Sequence, residues 1–557
     1  MASSDMATEP RRGLASRGAA GARWVSVPAV LAALICLMPV VAVALAALTG
    51  GWDTVGHLWQ TVLPRYIGNT IALVALVGFG TFAIGTGAAW LVTMTRFPGA
   101  RFFEVALVVP LAFPAYVLAY AYTHLLDHPG AVQTLLRDVT GWGPRDYWFP
   151  EIRSLGGAAL MLVLVLYPYV YLLVRAAFIQ QSGSTFTAAR VLGSAPFAAF
   201  WRVSLPLARP AIAAGVLLAI METIADFGTV AYFSVQTFAT GIYASWFSMA
   251  DRAAAAQLAL CLLIFALFLA VLERAQRGQA GYSDPARGAK AHPPLHLRGL
   301  KAAGAVVLCA VPVVLGAVLP VLLLFQMGLS SEQNLLSPRY ADFIRNSLIL
   351  AGIAAFVTVS AAIAIGYYRR LFSTAPARAA AYVARMGYAV PGGVIAVGLI
   401  VPFAAFDNAL DAWMRATFDI STGLLFTGSI WLLVFAYMVR FLAAALGAYE
   451  GGQALVHTNM DAASRSLGRG PIATLRRVHV PILTPSLLTA LLIVFVDVMK
   501  ELPATLIMRP FNFDTLAVHA YRLASDERLD GAAVPSLVIV AIGLLPVLLI
   551  CRQVGKR

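Results

Sequence analysis

The sequence predicts an all-α membrane protein of about 12 transmembrane helices, arranged as two homologous six-helix halves. Three observations predict it: a composition too apolar for a water-soluble chain, a series of long uncharged runs, and an internal repeat at a nearly constant offset. Of the 557 residues, 60% are hydrophobic and only 12% charged, and the mean hydropathy is +0.80. Water cannot be kept from that much apolar surface, so lipid must be part of the solvent.

The apolar runs fall at residues 25–50, 69–95, 105–125, 154–174, 210–233, 253–272, 302–327, 346–368, 386–406, 421–439, 482–508 and 531–551. Each has the ~20 residues that a helix needs to cross ~30 Å of hydrocarbon. Backbone groups in lipid must bond to one another, so these runs are read as helices. The first run carries no charge from 25 to 50 and is longer than the ~7–15 residues of a signal-peptide core, so it is read as a retained span.

A formal net charge of +14 raises the question of nucleic acid. The basic residues form no single patch, however. With an N-terminus inside, most of them fall at cytoplasmic ends, among them Arg11, Arg12, Arg17, Arg23, Arg369, Arg370, Arg476 and Arg477. This is the positive-inside pattern of a multi-pass membrane protein with both termini on the cytoplasmic side, and it speaks against nucleic-acid binding. Cys36, Cys261, Cys309 and Cys551 all sit in apolar runs without a close-spaced pair, which argues against disulfides and against a metal cluster. His124, His457 and His479 show no metal-ligand spacing, so no metal is expected.

The repeat is direct. Asn69 matches Asn346 and Pro114 matches Pro391, both at 277; Gly193 matches Gly468, Pro206 matches Pro481 and Pro210 matches Pro485, all at 275. An even number of spans separates equivalent points, so the halves are parallel. The chain divides into a cytoplasmic tail (1–24), half one (25–272, core repeat about 66–272), a Gly-, Pro- and Arg-rich cytoplasmic linker (273–300) and half two (301–557, core repeat about 343–551).

Between spans four and five, and again between ten and eleven, lies a short helix of small residues, a glycine, and a basic stretch ending at a proline 13 residues later. The pattern makes two surface knobs, at 187–210 and 461–485. They resemble the EAA loop with which permeases of ATP-binding-cassette (ABC) importers engage their ATPase. The resemblance maps Ala188, Ala189, Gly193, Leu205 and Pro206 in half one, and Asp461, Ala463, Gly468 and Pro481 in half two. Thr187 stands at the acidic position of the first loop, Asp461 lies one residue early in the second, and Val480 replaces the leucine before the proline. Two ordinary amphipathic connectors are the bland alternative. No G-x-x-x-x-G-K-[ST] loop occurs, so ATP and magnesium belong to a partner and this chain is expected to bind no cofactor and perform no covalent chemistry.

Spans five and eleven each carry two carboxylates: Glu222 and Asp226, then Asp497 and Glu501, equivalent at 275. A spacing of four sets each pair on one helix face. Ionisable groups at mid-membrane cost ~2.5–3.5 kcal/mol each and usually face a protein interior or a wet path. The functional expectation is a translocation pathway favouring a cationic cargo; the alternative is bracing of packed helices, with Lys500 as a ready partner.

Residues 222–247 and 500–529 narrow the resemblance to the iron(III) ABC importer permease family, which the chain is similar to from about residue 25 onward. That resemblance implies the type I importer permease fold, an ATPase homodimer on the cytoplasmic face, and a periplasmic binding protein that delivers ferric iron. Permeases for thiamine and 2-aminoethylphosphonate look similar, and a cation-coupled secondary transporter is the rival from another class. The segments 128–153, 234–252, 328–345 and 509–530 are candidates to meet the binding protein, with Trp142, Tyr147 and Trp148 as exposed aromatics or interfacial anchors.

Overall fold

The computed structural model describes residues 12–180, 191–193, 195–279, 295–333 and 337–554. Among them are 11 helices long and apolar enough to cross a membrane: span one (Trp24–Thr49), two (Leu63–Met94), four (Leu155–Ile179), five (Phe200–Ala225), six (Arg252–Leu272), seven (Leu300–Ser330), eight (Pro338–Leu371), nine (Gly392–Phe418), ten (Ile430–Gln453), eleven (Pro471–Met499) and twelve (Leu529–Val547). Span three is the pair Ala100–Ala112 and Ala115–Thr140, bent by 92°. The bend sits at Pro114, whose extended backbone caps the second piece, and Pro391 caps the start of span nine in the same way.

Span one shows how one helix divides its faces between protein and lipid. Ala29, Ala32, Cys36 and Val43 are buried, whereas Leu31, Leu34, Val41 and Leu45 on the other side are exposed. The buried positions recur at helical spacing and form one stripe, so this helix packs by a single face.

Two compact units make up the chain. One contains Met1–Pro39, Ala351–Tyr388 and Val434–Val498; the other contains Val40–Leu350, Ala389–Leu433 and Met499–Arg557. In the larger unit, spans two and five both pack on span four, six packs on nine, and seven and three pack on twelve, so helices of the two repeats are interleaved. The approaches are close. A Cβ on Gly85 of span two would lie 2.7 Å from Val170 Cβ of span four. Small residues let backbones come together where lipid supplies no hydrophobic drive between helices.

In the smaller unit, spans eight and ten meet the same way. A Cβ on Gly366 would lie 2.2 Å from a ring carbon of Tyr449, itself fully buried. Gly366→Ala is expected to cost at least about 1–3 kcal/mol, because the ring has nowhere to move. Thermal unfolding of the purified chain in detergent measures this, and an unchanged midpoint would contradict the packing.

The repeat is visible in backbone geometry. Left-handed residues recur in pairs: Gly193 (φ 86) with Gly468 (φ 74), Ser234 (φ 56) with Asn512 (φ 58), and Ala250 (φ 53) with Glu527 (φ 57). Asn69 Nδ2 donates to the Gln236 carbonyl at 2.8 Å, and Asn346 Nδ2 to the Asp514 carbonyl at 3.3 Å. A π-helical turn, Phe200–Ser204 or Leu475–His479, opens spans five and eleven just before Pro206 and Pro481. Proline removes an N–H and crowds the carbonyl four residues back, and widening the preceding turn accommodates that.

Other braces are repeated with altered chemistry. Glu104 accepts from Arg175 of span four at 3.2 Å. At the position equivalent to Arg175 (175 plus 275 is 450) stands Glu450 of span ten, which accepts from Arg385 and from Arg369. Arg175 is thus replaced by an acid, and its basic partner Arg385 lies one helical turn beyond the position equivalent to Glu104 (104 plus 277 is 381).

At the ends of the linker, the helix of span six continues to Gln279 and Leu295–His296 pairs in parallel with Thr95–Arg96; residues 280–294 lie outside the described residues. Tyr147 is half-buried, its hydroxyl donating to Gln133 at 2.8 Å and accepting from Arg137 at 3.0 Å, while Trp148 is exposed.

The helix Leu516–Ser525 packs on span twelve in the larger unit. Its first turn is held by Ser347 Oγ, which accepts from the Leu516 N–H at 2.8 Å. His519 on this helix lies against Phe343, with ring centroids 4.3 Å apart. Burial, reinforced by the Arg339 charge and those of Arg522 and Arg528 against the opposing Asp514, pushes its imidazole from 6.5 down to about 4. The unfolded chain therefore takes up the proton first. His519 costs nothing above pH ~6.5, and stability is lost as pH falls from there towards ~4. His519→Phe is expected to flatten that part of the unfolding midpoint against pH, measured as a difference from the unmutated chain.

Candidate functional site

The second loop is described throughout. Span ten ends at Gln453, the helix Thr458–Ser466 comes next, and the chain turns at Gly468 into the Pro471–Thr474 helix that leads into span eleven. The turn is a Schellman motif: Gly468 N–H bonds to the Arg465 carbonyl at 2.9 Å and Arg469 N–H to the Ser464 carbonyl at 3.1 Å. Only a residue that tolerates positive φ closes it without strain, and open space around Gly468 shows that backbone rather than room demands the glycine. Leu467 at the tip is 74% exposed, with Ile472 and Met460 exposed nearby.

In the first loop, Thr187, Ala188 and Ala189 lie outside the described residues. Gly193 has the same left-handed backbone and equally open surroundings. Leu192, one residue before it, is 85% exposed, and 192 plus 275 is 467. Leu205 and Pro206 open the span-five helix after the π turn, as Val480 and Pro481 open that of span eleven. Ala463 and Pro481 are exposed. Both knobs thus present an exposed leucine on a glycine turn.

Asp461 departs from the expectation of an outward acidic contact. Its Oδ2 accepts from Arg370 Nε at 2.8 Å and Nη2 at 2.7 Å, and its Oδ1 faces His479 Nε2 at 2.6 Å. Burial raises the pKa of this carboxyl, but the hydrogen bonds from His479 and Arg370 outweigh that and hold it below the usual range. An ionised carboxylate accepts, so Nε2 carries the proton. In the sequence Arg370 is a charge at a span end and His479 a histidine without metal-ligand spacing. Nothing in the helical period links positions 370, 461 and 479.

Spans five and eleven do not run through their acidic pairs. The span-five helix ends at Ala225, Asp226 is extended (φ −69, ψ 131), and a short helix restarts at Gly228–Tyr232. Span eleven ends at Met499 and restarts at Pro503–Met508. Asp226 and Glu501 sit at the breaks and cap the two restarting helices. Asp226 Oδ1 accepts from Thr229 N–H at 3.0 Å and Val230 N–H at 3.3 Å; Glu501 accepts from Ala504 N–H at 3.0 Å and Thr505 N–H at 3.1 Å. Each pair is split by a helix end, because the second carboxylate takes the N–H groups of the restarting helix where the first helix stops. Glu222 and Asp497 remain inside the span helices, one turn before each break.

Tyr116 lies between the two breaks. Its hydroxyl donates to the Lys500 carbonyl at 3.4 Å, and its ring would be 2.8 Å from a Cβ on Gly228. The position equivalent to Tyr116 (116 plus 277 is 393) is Gly393, which lines a small pocket with Phe227, Tyr243, Pro391 and Pro503. A tyrosine ring thus stands on one side of the junction, where the equivalent position on the other carries a glycine.

Residues 81–278 match the family described as the binding-protein-dependent transport system inner membrane component. The chain is 25% identical over 547 residues, 96% of its own length and 99% of the relative's, to the Fe(3+)-transport system permease protein of Haemophilus influenzae. It is also 24% identical to a putative 2-aminoethylphosphonate transport system permease protein of Salmonella choleraesuis, over 46% of this chain and 93% of that one. The molybdenum transport system permease protein of Escherichia coli is 28% identical over 30% of this chain and 69% of its own.

Proposed function

We propose that this chain is a binding-protein-dependent permease of an ABC importer and that it moves ferric iron across the bacterial inner membrane by alternating access. It is a multi-pass permease subunit. In the proposed cycle a separate ATPase homodimer grips the two loops from the cytoplasmic face, and nucleotide-driven closure draws them together and opens the other side. A periplasmic binding protein then releases its cargo into the path, and hydrolysis by the partner resets the inward state.

The observation that carries the docking role is the pair of equivalent glycine turns, each presenting an exposed leucine, Leu192 or Leu467. A cation-coupled carrier has no use for such knobs. The iron reading is supported by similarity that spans nearly the whole of a ferric permease. Glu222, Asp226, Asp497 and Glu501 are proposed to favour a cationic cargo along the path, with Glu222 and Asp497 as the members still carried within span helices. The 2-aminoethylphosphonate reading is favoured by a match over 46% of the chain, and thiamine is the third candidate.

The test is uptake by cells holding the full chain, its ATPase and its binding protein, offered ferric iron, thiamine or 2-aminoethylphosphonate. Uptake of iron alone is expected; uptake of either other compound, with iron excluded, overturns the substrate.

A further inference from the structure

We propose that Asp461 is a positioning residue, the centre of a polar strut that fixes the second loop to spans eight and eleven so that movement of the loop is carried into both. This rests on the ATPase-docking reading of that loop.

The carboxylate spends its bonds on its own chain: three donors reach it, and its side chain is only 17% exposed. Arg370, 14% exposed, approaches from span eight and also donates from Nη2 to the Val456 carbonyl at 2.7 Å, on the stretch joining span ten to the loop. His479, fully buried at the entry to span eleven, approaches the other oxygen. Among the described residues its Nδ1 is buried without a partner, so the bond to Asp461 is the hydrogen bond that fixes the ring's tautomer. Tyr367, one turn before Arg370, stacks edge-on to that ring at 5.0 Å and donates its hydroxyl to the Pro471 carbonyl at 2.8 Å, on the returning leg of the loop. Ser464 and Thr474, both buried, join the two legs at 2.7 Å. Only the tip around Leu467–Gly470 lies beyond these ties. A displacement applied at the tip therefore moves the loop as a body together with spans eight and eleven, since a bonded, buried network has discrete arrangements rather than continuous give.

The first half has no counterpart by residue type. At the positions equivalent to Tyr367, Arg370 and His479 stand Trp90, Thr93 and Ser204, and Phe186 replaces Asp461. Trp90 instead packs its ring on Phe200 at 4.9 Å. Charged bonds tie one loop and aromatic packing supports the other.

The experiment uses the full chain in lipid nanodiscs with its ATPase, and reads two quantities: ATPase captured per chain, and ATP hydrolysis with and without the loaded binding protein. Asp461→Asn and Arg370→Gln are each expected to keep the ATPase captured while binding-protein stimulation per captured ATPase falls at least about fivefold. The double variant is expected to be no worse than either single one, because both remove the same tie. Asp461→Glu, which retains the charge, is expected to restore stimulation, an outcome that general destabilisation would not give. Stimulation at the unmutated level in Asp461→Asn overturns the strut. So does lost capture with normal stimulation of what remains bound, which would make Asp461 an ATPase contact. An unmutated chain that captures no ATPase would overturn the importer reading itself.

Discussion

Replacing Gly193 and Gly468 together by valine is expected to strip the ATPase from the purified chain. Both residues hold left-handed backbone, at φ 86 and φ 74, and neither has any atom near the site of an added Cβ. The effect is therefore conformational rather than steric crowding. An L-residue with a side chain costs about 1–2 kcal/mol in that region, and a β-branched one costs more. Each turn would then reach its native shape roughly 5–30 times less often, and two turns multiply the loss. Leu192 and Leu467, one residue before each glycine, would be re-aimed by the same change. Pull-down of the ATPase from detergent-solubilised membranes measures the result. Each single variant should lose part of the association and the pair nearly all of it, while a valine at Gly51, another left-handed glycine in open space, should leave it alone. Full retention by the double variant would remove the docking role from both loops.

The four intramembrane carboxylates are expected to separate into two classes. Glu501, 5% exposed, satisfies two backbone N–H groups and accepts from Thr505 Oγ1 at 2.7 Å. Glu501→Ala leaves those donors buried and unpaired, at about 1–3 kcal/mol each, so folded protein should be largely lost from the membrane. Asp226→Ala removes the equivalent cap and should act in the same direction. Glu222→Gln and Asp497→Asn lie within continuous helix, so the chain should stay folded and the effect should fall on uptake. Quantifying folded protein by size exclusion beside substrate uptake separates the classes. Normal uptake by the Glu222→Gln, Asp497→Asn pair would dismiss a pathway role for those two.

Much of the architecture was legible because lipid enforces simple rules. Apolar run length located the helices, and the offsets of Asn69, Pro114, Gly193 and Pro206 exposed the duplication, since each does a local backbone job that recurs wherever the fold recurs. The breaks at Asp226 and Glu501 were not legible. A spacing of four reads as one helix face unless the second residue is already known to cap a new helix, and the polar residues at each break read equally well as charges carried within a span. The convergence of Arg370, Asp461 and His479 was hidden for a different reason: it joins three elements far apart in sequence, and each residue alone has an ordinary explanation. Gly193 and Gly468 were found by their pattern, whereas the leucines beside them needed solvent exposure to be noticed.

The opposed braces, Glu104 with Arg175 and Arg385 with Glu450, bear on why two halves share one polypeptide. A pair of identical subunits must spell every contact the same way on both sides. A tandem chain is released from that obligation, so a change of sign on one side needs no matching change on the other. Two copies of either half, joined or free, would restore a uniform polarity that this molecule has abandoned, and the left and right walls of such an assembly could no longer specialise apart.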